Sequence, residues 1–146
     1  MAQAYPKHDE DFYGWTKGQI QLLKKNKIKE IDVNYLIEEL ESMGASEKRE
    51  LRSRLAQLIF HLLKYEYQKH LRSRSWKASI DEPRVQIAFV MKDNPSLKSQ
   101  INEKVAEAYK SSLFLMDKET DIPRQALPAT CPYTLEQLQD DEFYPA

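Results

Sequence analysis

The sequence predicts an all-α protein, an antiparallel bundle of about five helices with an extended C-terminal arm. Three observations predict it. Apolar residues recur at i, i+3, i+4 through most of the chain. No segment alternates as a half-buried strand does. Glycine occurs only 3 times in 146 residues, too rarely for a turn-rich β-fold. The length fits one helical domain, 1–146, large enough to bury roughly 70% of its unfolded surface. Residues 1–8 read as a flexible leader, and residues 121–146 as an arm laid over the surface with one short helix.

Asp9 or Asp11 can cap a first helix carrying Phe12, Trp15, Ile20, Leu22 and Leu23. Asp32 is the N-cap expected for a second, with Val33, Leu36, Ile37, Leu40 and Met43 on its apolar face. Gly44 reads as a stop in the left-handed conformation, with positive φ. Ser46 then caps a third helix with Glu47 in its first turn, so short a link making helices two and three an antiparallel hairpin. Leu51, Leu55, Leu58, Ile59, Leu62 and Tyr65 form the stripe of this third helix, which runs to about Gln68. Leu71 to Ser79 reads as a bend. Ser79-Ile80-Asp81-Glu82 has capping-box spacing, and Pro83 in a first turn supports a fresh fourth helix there. Asn94-Pro95 ends it. Ser96 caps a fifth helix, with Leu97, Ile101, Val105, Tyr109, Leu113 and Met116 facing inward. Ile122 to Pro132 contains three prolines and no period, so it is a loop; Thr134-Leu135-Glu136-Gln137 is a second capping box.

Charge is segregated beneath a formal net charge of −1. Residues 30–47 hold six acids and no Lys or Arg, and residues 48–77 hold nine bases and two acids. Such a basic run invites a nucleic-acid reading. Its bases scatter around the helix rather than forming one stripe, and the acidic helix next in sequence is their expected counter-charge. Nucleic acid is therefore not the expected partner. The mean hydropathy of −0.70 and the lack of a run of about 20 apolar residues argue against a membrane span. The polar N-terminus does not read as a secretory signal. These features point to the cytoplasm. A single cysteine excludes an internal disulfide and a Cys-based zinc site.

Several residues could carry chemistry. Glu38, Glu39 and Glu41 crowd the expected end of helix two, where carboxylates oppose the helix dipole and call for a cation. A salt bridge to helix three is the plainer reading; Glu41 would meet Arg49 or Arg52 across the turn. His61 lies at the edge of the helix-three stripe with Lys64 one turn on; it reads as a packing histidine, or else as the nitrogen ligand or base completing a site with Glu38 or Glu41. Glu66 sits near the apolar stripe and needs a partner; with His70 it has i, i+4 spacing. Arg72, Arg74 and Trp76 could form a cation–π stack. Trp15 and Trp76 should both be mainly buried. Cys131 has no local base or oxyanion hole. No phosphate loop, nucleophile elbow, zincin motif or other cofactor signature occurs.

Six segments occur in order: Asp11-Phe12-Tyr13-Gly14-Trp15-Thr16, Glu38-Glu39-Leu40-Glu41-Ser42-Met43-Gly44, Ser46-Glu47-Lys48-Arg49-Glu50-Leu51, His61-Leu62-Leu63-Lys64-Tyr65, Arg74-Ser75-Trp76 and Cys131-Pro132-Tyr133-Thr134. Together they resemble the bacterial "domain of unknown function 29" family, common in cyanobacteria, over nearly the whole chain. The resemblance implies an all-helical fold and leaves the activity open. The family's motif positions correspond here to Glu38, Glu39, Glu41, Gly44, His61, Lys64 and Trp76. Tyr65 stands where members often carry Trp, and Glu66 where an uncharged side chain is usual.

The expected function is a non-enzymatic cytoplasmic interaction or regulatory module, without cofactor or metal, acting on a protein partner or as a homo-oligomer. Its candidate cluster is Glu38, Glu41, His61, Lys64, Arg74 and Trp76. The alternative is a metal-assisted hydrolase or nuclease using Glu38, Glu41 and His61.

Overall fold

The computed structural model describes residues 5–146. Among them the fold is all-helical, with five α-helices: α1 (Phe12–Lys24), α2 (Val33–Tyr67), α3 (Arg74–Asp93), α4 (Ile101–Glu119) and α5 (Leu135–Gln139). The chain is organised as two compact units, 1–45 and 46–146, and α2 contributes residues to both.

In the first unit Asp11 caps α1, its Oδ1 accepting from the Gly14 amide at 2.9 Å. Gly14 and Gly18 are required by close approach: a Cβ on Gly18 would lie 2.5 Å from Tyr5 Cγ. The helix ends in a Schellman motif, with Asn26 at φ 58° and the amides of Asn26 and Lys27 donating to the carbonyls of Leu23 and Leu22. Asp32 caps α2 by accepting from the Tyr35 amide at 3.5 Å. It also accepts from Trp15 Nε1 at 3.2 Å, while its own amide donates to buried Gln19 Oε1 at 2.8 Å. Trp15 and Leu22 are buried, whereas Phe12, Ile20 and Leu23 of the same helix are about half-exposed. So few residues cannot enclose a full core.

The expected stop at Gly44 and hairpin into a separate third helix are overturned. α2 is one 35-residue helix, and no glycine among the described residues has positive φ. The apolar line stays in phase across Gly44, so the two predicted helices are one. A Cβ on Gly44 would meet nothing within 4 Å.

The second unit holds the main core. Leu51, Leu55, Leu58, Ile59, Leu62 and Leu63 of α2 are fully buried against Ile80 and Ile87 of α3, Ala108, Leu113 and Met116 of α4, and Leu127, Tyr133 and Leu138 of the C-terminal segment. The bend after α2 falls at residues 68–73, around a 3-10 turn at Lys69–Leu71. The capping box at Ser79 and the fresh helix at Pro83 do not form. α3 starts at Arg74 and runs through Pro83, and Ser79 Oγ donates back to the Ser75 carbonyl at 3.0 Å. Ile80, Ile87 and Val90 keep one buried face across the proline. α3 ends at Asp93 as the Asn94-Pro95 pair predicts. Pro95–Gln100 is a 3-10 segment rather than the start of α4, yet Leu97, Ile101, Tyr109, Leu113 and Met116 are buried as expected. The Thr134 capping box opens α5, with reciprocal bonds to Gln137 at 3.1 and 2.9 Å.

Arg84 holds the C-terminal segment in place. It lies on the buried face of α3 and is 3% exposed. Its Nε and two terminal nitrogens donate to the carbonyls of Leu138 (3.0 Å), Phe143 (2.8 Å) and Gln137 (2.9 Å). Two of these carbonyls lie at the end of α5, where Gln137 also accepts from the Asp140 amide at 3.4 Å, so the guanidinium supplements the helix's own C-terminal cap. Arg72 adds a bond to the Pro145 carbonyl at 3.3 Å, and the Tyr144 hydroxyl donates to Asp81.

Two outcomes follow. Replacing helical Gly44 by Ala should raise stability by about 0.5–1 kcal/mol in urea denaturation, because Gly carries the larger entropy cost and the new methyl clashes with nothing. Arg84→Met should cost about 3 kcal/mol, since it strands buried carbonyls, and limited proteolysis should then cut first after Thr134.

Candidate functional site

The predicted cluster divides along the chain. Glu38 and Glu41 are exposed on the N-terminal part of α2, and neither makes a hydrogen bond or ion pair among the described residues. His61 and Lys64 lie on the same helix farther on. At about 1.5 Å rise per residue, Glu41 and His61 stand roughly 30 Å apart along α2. The Glu38, Glu41, His61 set is therefore not brought together, and among the described residues no three His, Cys, Asp or Glu side chains converge as metal ligands would. The expected pairing of Glu41 with Arg49 or Arg52 fails for the same reason: one continuous helix cannot face itself. Arg52 instead meets Glu107 at 3.6 Å, and Arg54 meets Glu50 at 2.9 Å.

His61, Lys64 and Trp76 do come together. The Lys64 ammonium sits 4.7 Å from the Trp76 ring centroid and 5.4 Å from that of Phe60. The His61 ring lies 5.1 Å from Phe60. Burial and the Lys64 charge push the His61 imidazole below its ordinary value of 6.5, which favours the neutral ring. The predicted stack of Arg72 and Arg74 on Trp76 is not the one formed. Lys64 covers Trp76, Arg72 covers Tyr65 at 3.9 Å, and Arg74 is exposed. Trp15 is buried as expected, whereas Trp76 is only half-buried.

Glu66 finds its partner in the Tyr133 hydroxyl, which donates to it at 3.3 Å; burial raises the Tyr133 hydroxyl far above its usual range. His70 lies beyond the end of α2 and does not share a helical face with Glu66. Cys131 is half-buried, its thiol pushed up by desolvation, which disfavours the thiolate a nucleophile needs.

His8, which the sequence reads as part of a flexible leader, is instead held by several side chains. Its Nδ1 is 2.7 Å from Asp9 Oδ1 and its Nε2 is 2.7 Å from Glu39 Oε1. The ring stacks on Tyr35 with centroids 4.1 Å apart, and Trp15 (4.8 Å) and Phe12 (5.3 Å) stand nearly perpendicular to it. The Tyr35 hydroxyl donates to Asp9 Oδ2 at 2.8 Å. His8 thus faces a carboxylate at each nitrogen inside an aromatic enclosure, an arrangement that favours the protonated ring. The one local signal was its position seven residues before Trp15; its tie to Glu39 spans 31 residues and has no sequence signature.

One face of α2 changes from exposed to buried along its length. Val33, Ile37, Leu40, Gly44, Leu51, Leu55, Leu58 and Leu62 fall on one helical line. Its later leucines are 0% exposed, whereas Val33 is 55%, Ile37 48% and Leu40 64% exposed; Met43 beside them is 64% exposed. Glu38 and Glu41 flank this bare segment on one side. The residues expected to form the core of a second helix form an open apolar stripe with an acidic border.

The two histidines should titrate in opposite directions. Hydrogen bonds to Glu39 and then Asp9 raise His8 above 6.5, so the tie is complete below pH 6.5 and is lost as pH rises through the raised value. In an NMR titration His8 should have its midpoint above 6.5 and His61 below it. Glu39→Gln should bring His8 down while leaving His61 unchanged; equal midpoints would refute both environments.

Among the described residues no helix is long and apolar enough to cross a membrane. No curated protein and no solved structure matches the chain. The family model for Domain of unknown function DUF29 matches residues 8–144, which span nearly all of the helical architecture and the stripe described above. The chain belongs to this DUF29 family.

Proposed function

We propose that this chain is a non-enzymatic protein-interaction module of the bacterial cytoplasm, and that its contact surface is the stripe Val33, Ile37, Leu40 and Met43 on α2. The observation that carries this reading is the change of one helical face from fully buried to half-exposed without any loss of apolar character. Apolar side chains gathered in one exposed patch, rather than scattered singly, are a mark of protein contact surfaces. Glu38 and Glu41 supply a charged rim, which sets register and rejects acidic partners. The acidic and aromatic C-terminal arm does not compete for this role, because Tyr133 and Leu138 are core residues and Arg84 binds its backbone. The free Cys131 thiol fits a reducing compartment.

A photoreactive amino acid at Leu40 tests the reading in living cells. A discrete protein adduct is expected from Leu40, and none from a probe at exposed Arg74. No adduct at Leu40, with the variant folded and expressed, would overturn the proposal.

A further inference from the structure

We propose that the occupant of the α2 stripe is a second copy of this chain, whose arginine-rimmed groove between α2 and α4 receives it. This rests on the interaction reading above and names its partner. The groove lies in the second unit. Its cavity measures about 580 Å³, and it is lined by Arg49, Arg52, Ala56, Phe114 and Leu115 among others. Phe114, 78% exposed, is the most exposed large apolar side chain among the described residues. Arg49 is exposed and makes no ion pair among the described residues.

Stripe and groove are complementary in both kind and charge. One is an apolar ridge bordered by Glu38 and Glu41; the other is an apolar trough bordered by Arg49 and Arg52. A ridge-to-ridge pair would put carboxylates against carboxylates, which costs association. A second copy of the chain carries both surfaces, the ridge and the groove. In a closed two-fold pair each copy gives a ridge and receives one, so the contact is made twice. The Glu41 to arginine pairing that the sequence suggests within a hairpin is then made between copies.

Mixing of charge-reversed variants decides the matter. Wild type should sediment as a dimer at micromolar concentration. Glu41→Arg alone places arginine against Arg49, and Arg49→Glu alone places carboxylate against Glu41, so each should weaken dimerisation at least about ten-fold. Both positions are exposed, so circular dichroism should show unchanged helicity. In an equimolar mixture, the arginine introduced by the first variant meets the carboxylate introduced by the second at one contact. The other contact keeps the native Glu41 to Arg49 pair. The mixture should therefore return to the dimer. A monomeric wild type, or a mixture no more associated than its components, would overturn the second-copy proposal. If the Leu40 cross-link is then made to a different protein, the interaction reading survives; if no adduct forms, both fail.

Discussion

An α-helix keeps each side chain on the same face for as long as it runs. α2 runs 35 residues through Gly44 without a break, and most of what distinguishes this protein follows from that. The helix that supplies Leu51, Leu55, Leu58 and Leu62 to the core cannot turn back after Met43 to bury Ile37 and Leu40. Its acids and bases are held apart along its length instead of folding onto each other. An intrachain hairpin would have covered the apolar stripe and neutralised the charge; the continuous helix leaves Ile37 and Leu40 exposed. The same continuity dissolves the imagined site of Glu38, Glu41 and His61, since three side chains spread along one helix have no common point.

The second unit is closed by a polar device at its edge. Burying a guanidinium on the inner face of α3 is costly in itself, and Arg84 offsets the cost by capping α5 and binding the Phe143 carbonyl. Burial pulls its pKa down, but an arginine remains charged. Tyr109 makes a related contact with the loop, donating to the Pro128 carbonyl at 2.5 Å, and its hydroxyl is pushed up to about 12 by desolvation. A C-terminal segment with little helix of its own thus becomes part of the core.

The legible parts of the fold were those written in local patterns. Asp11, Asp32, the Asn94-Pro95 break and the Thr134 capping box all act as their side chains suggest, because each satisfies backbone groups within a few residues. The failures at Gly44 and at Ser79-Pro83 share one cause. Both are local stop signals placed on an apolar line that continues in phase, and burial of the following residues outweighs a local cost of about 1 kcal/mol for Gly. A true turn would have reset the phase. The partners of Arg84 and His8 were not legible: they lie 53 to 59 and 31 residues away. Arg84 did leave a trace, an arginine between Ile80 and Ile87 on a buried stripe. Within the candidate cluster, the approach of Lys64 to Trp76 follows from packing at the end of α2 that periodicity alone does not specify. Exposure of the Ile37 and Leu40 stripe was illegible for the opposite reason, since an apolar periodic face normally signals a core.

The continuity of α2 at Gly44 is the claim on which the rest depends, and backbone NMR across residues 40–50 tests it most directly. Helical carbon shifts and successive amide-to-amide contacts should run unbroken from Leu40 to Leu51, with the Lys48 amide protected from exchange by its bond within the helix. Coil-like shifts at Met43 to Ser46, with a positive φ at Gly44, would contradict the account and restore the hairpin.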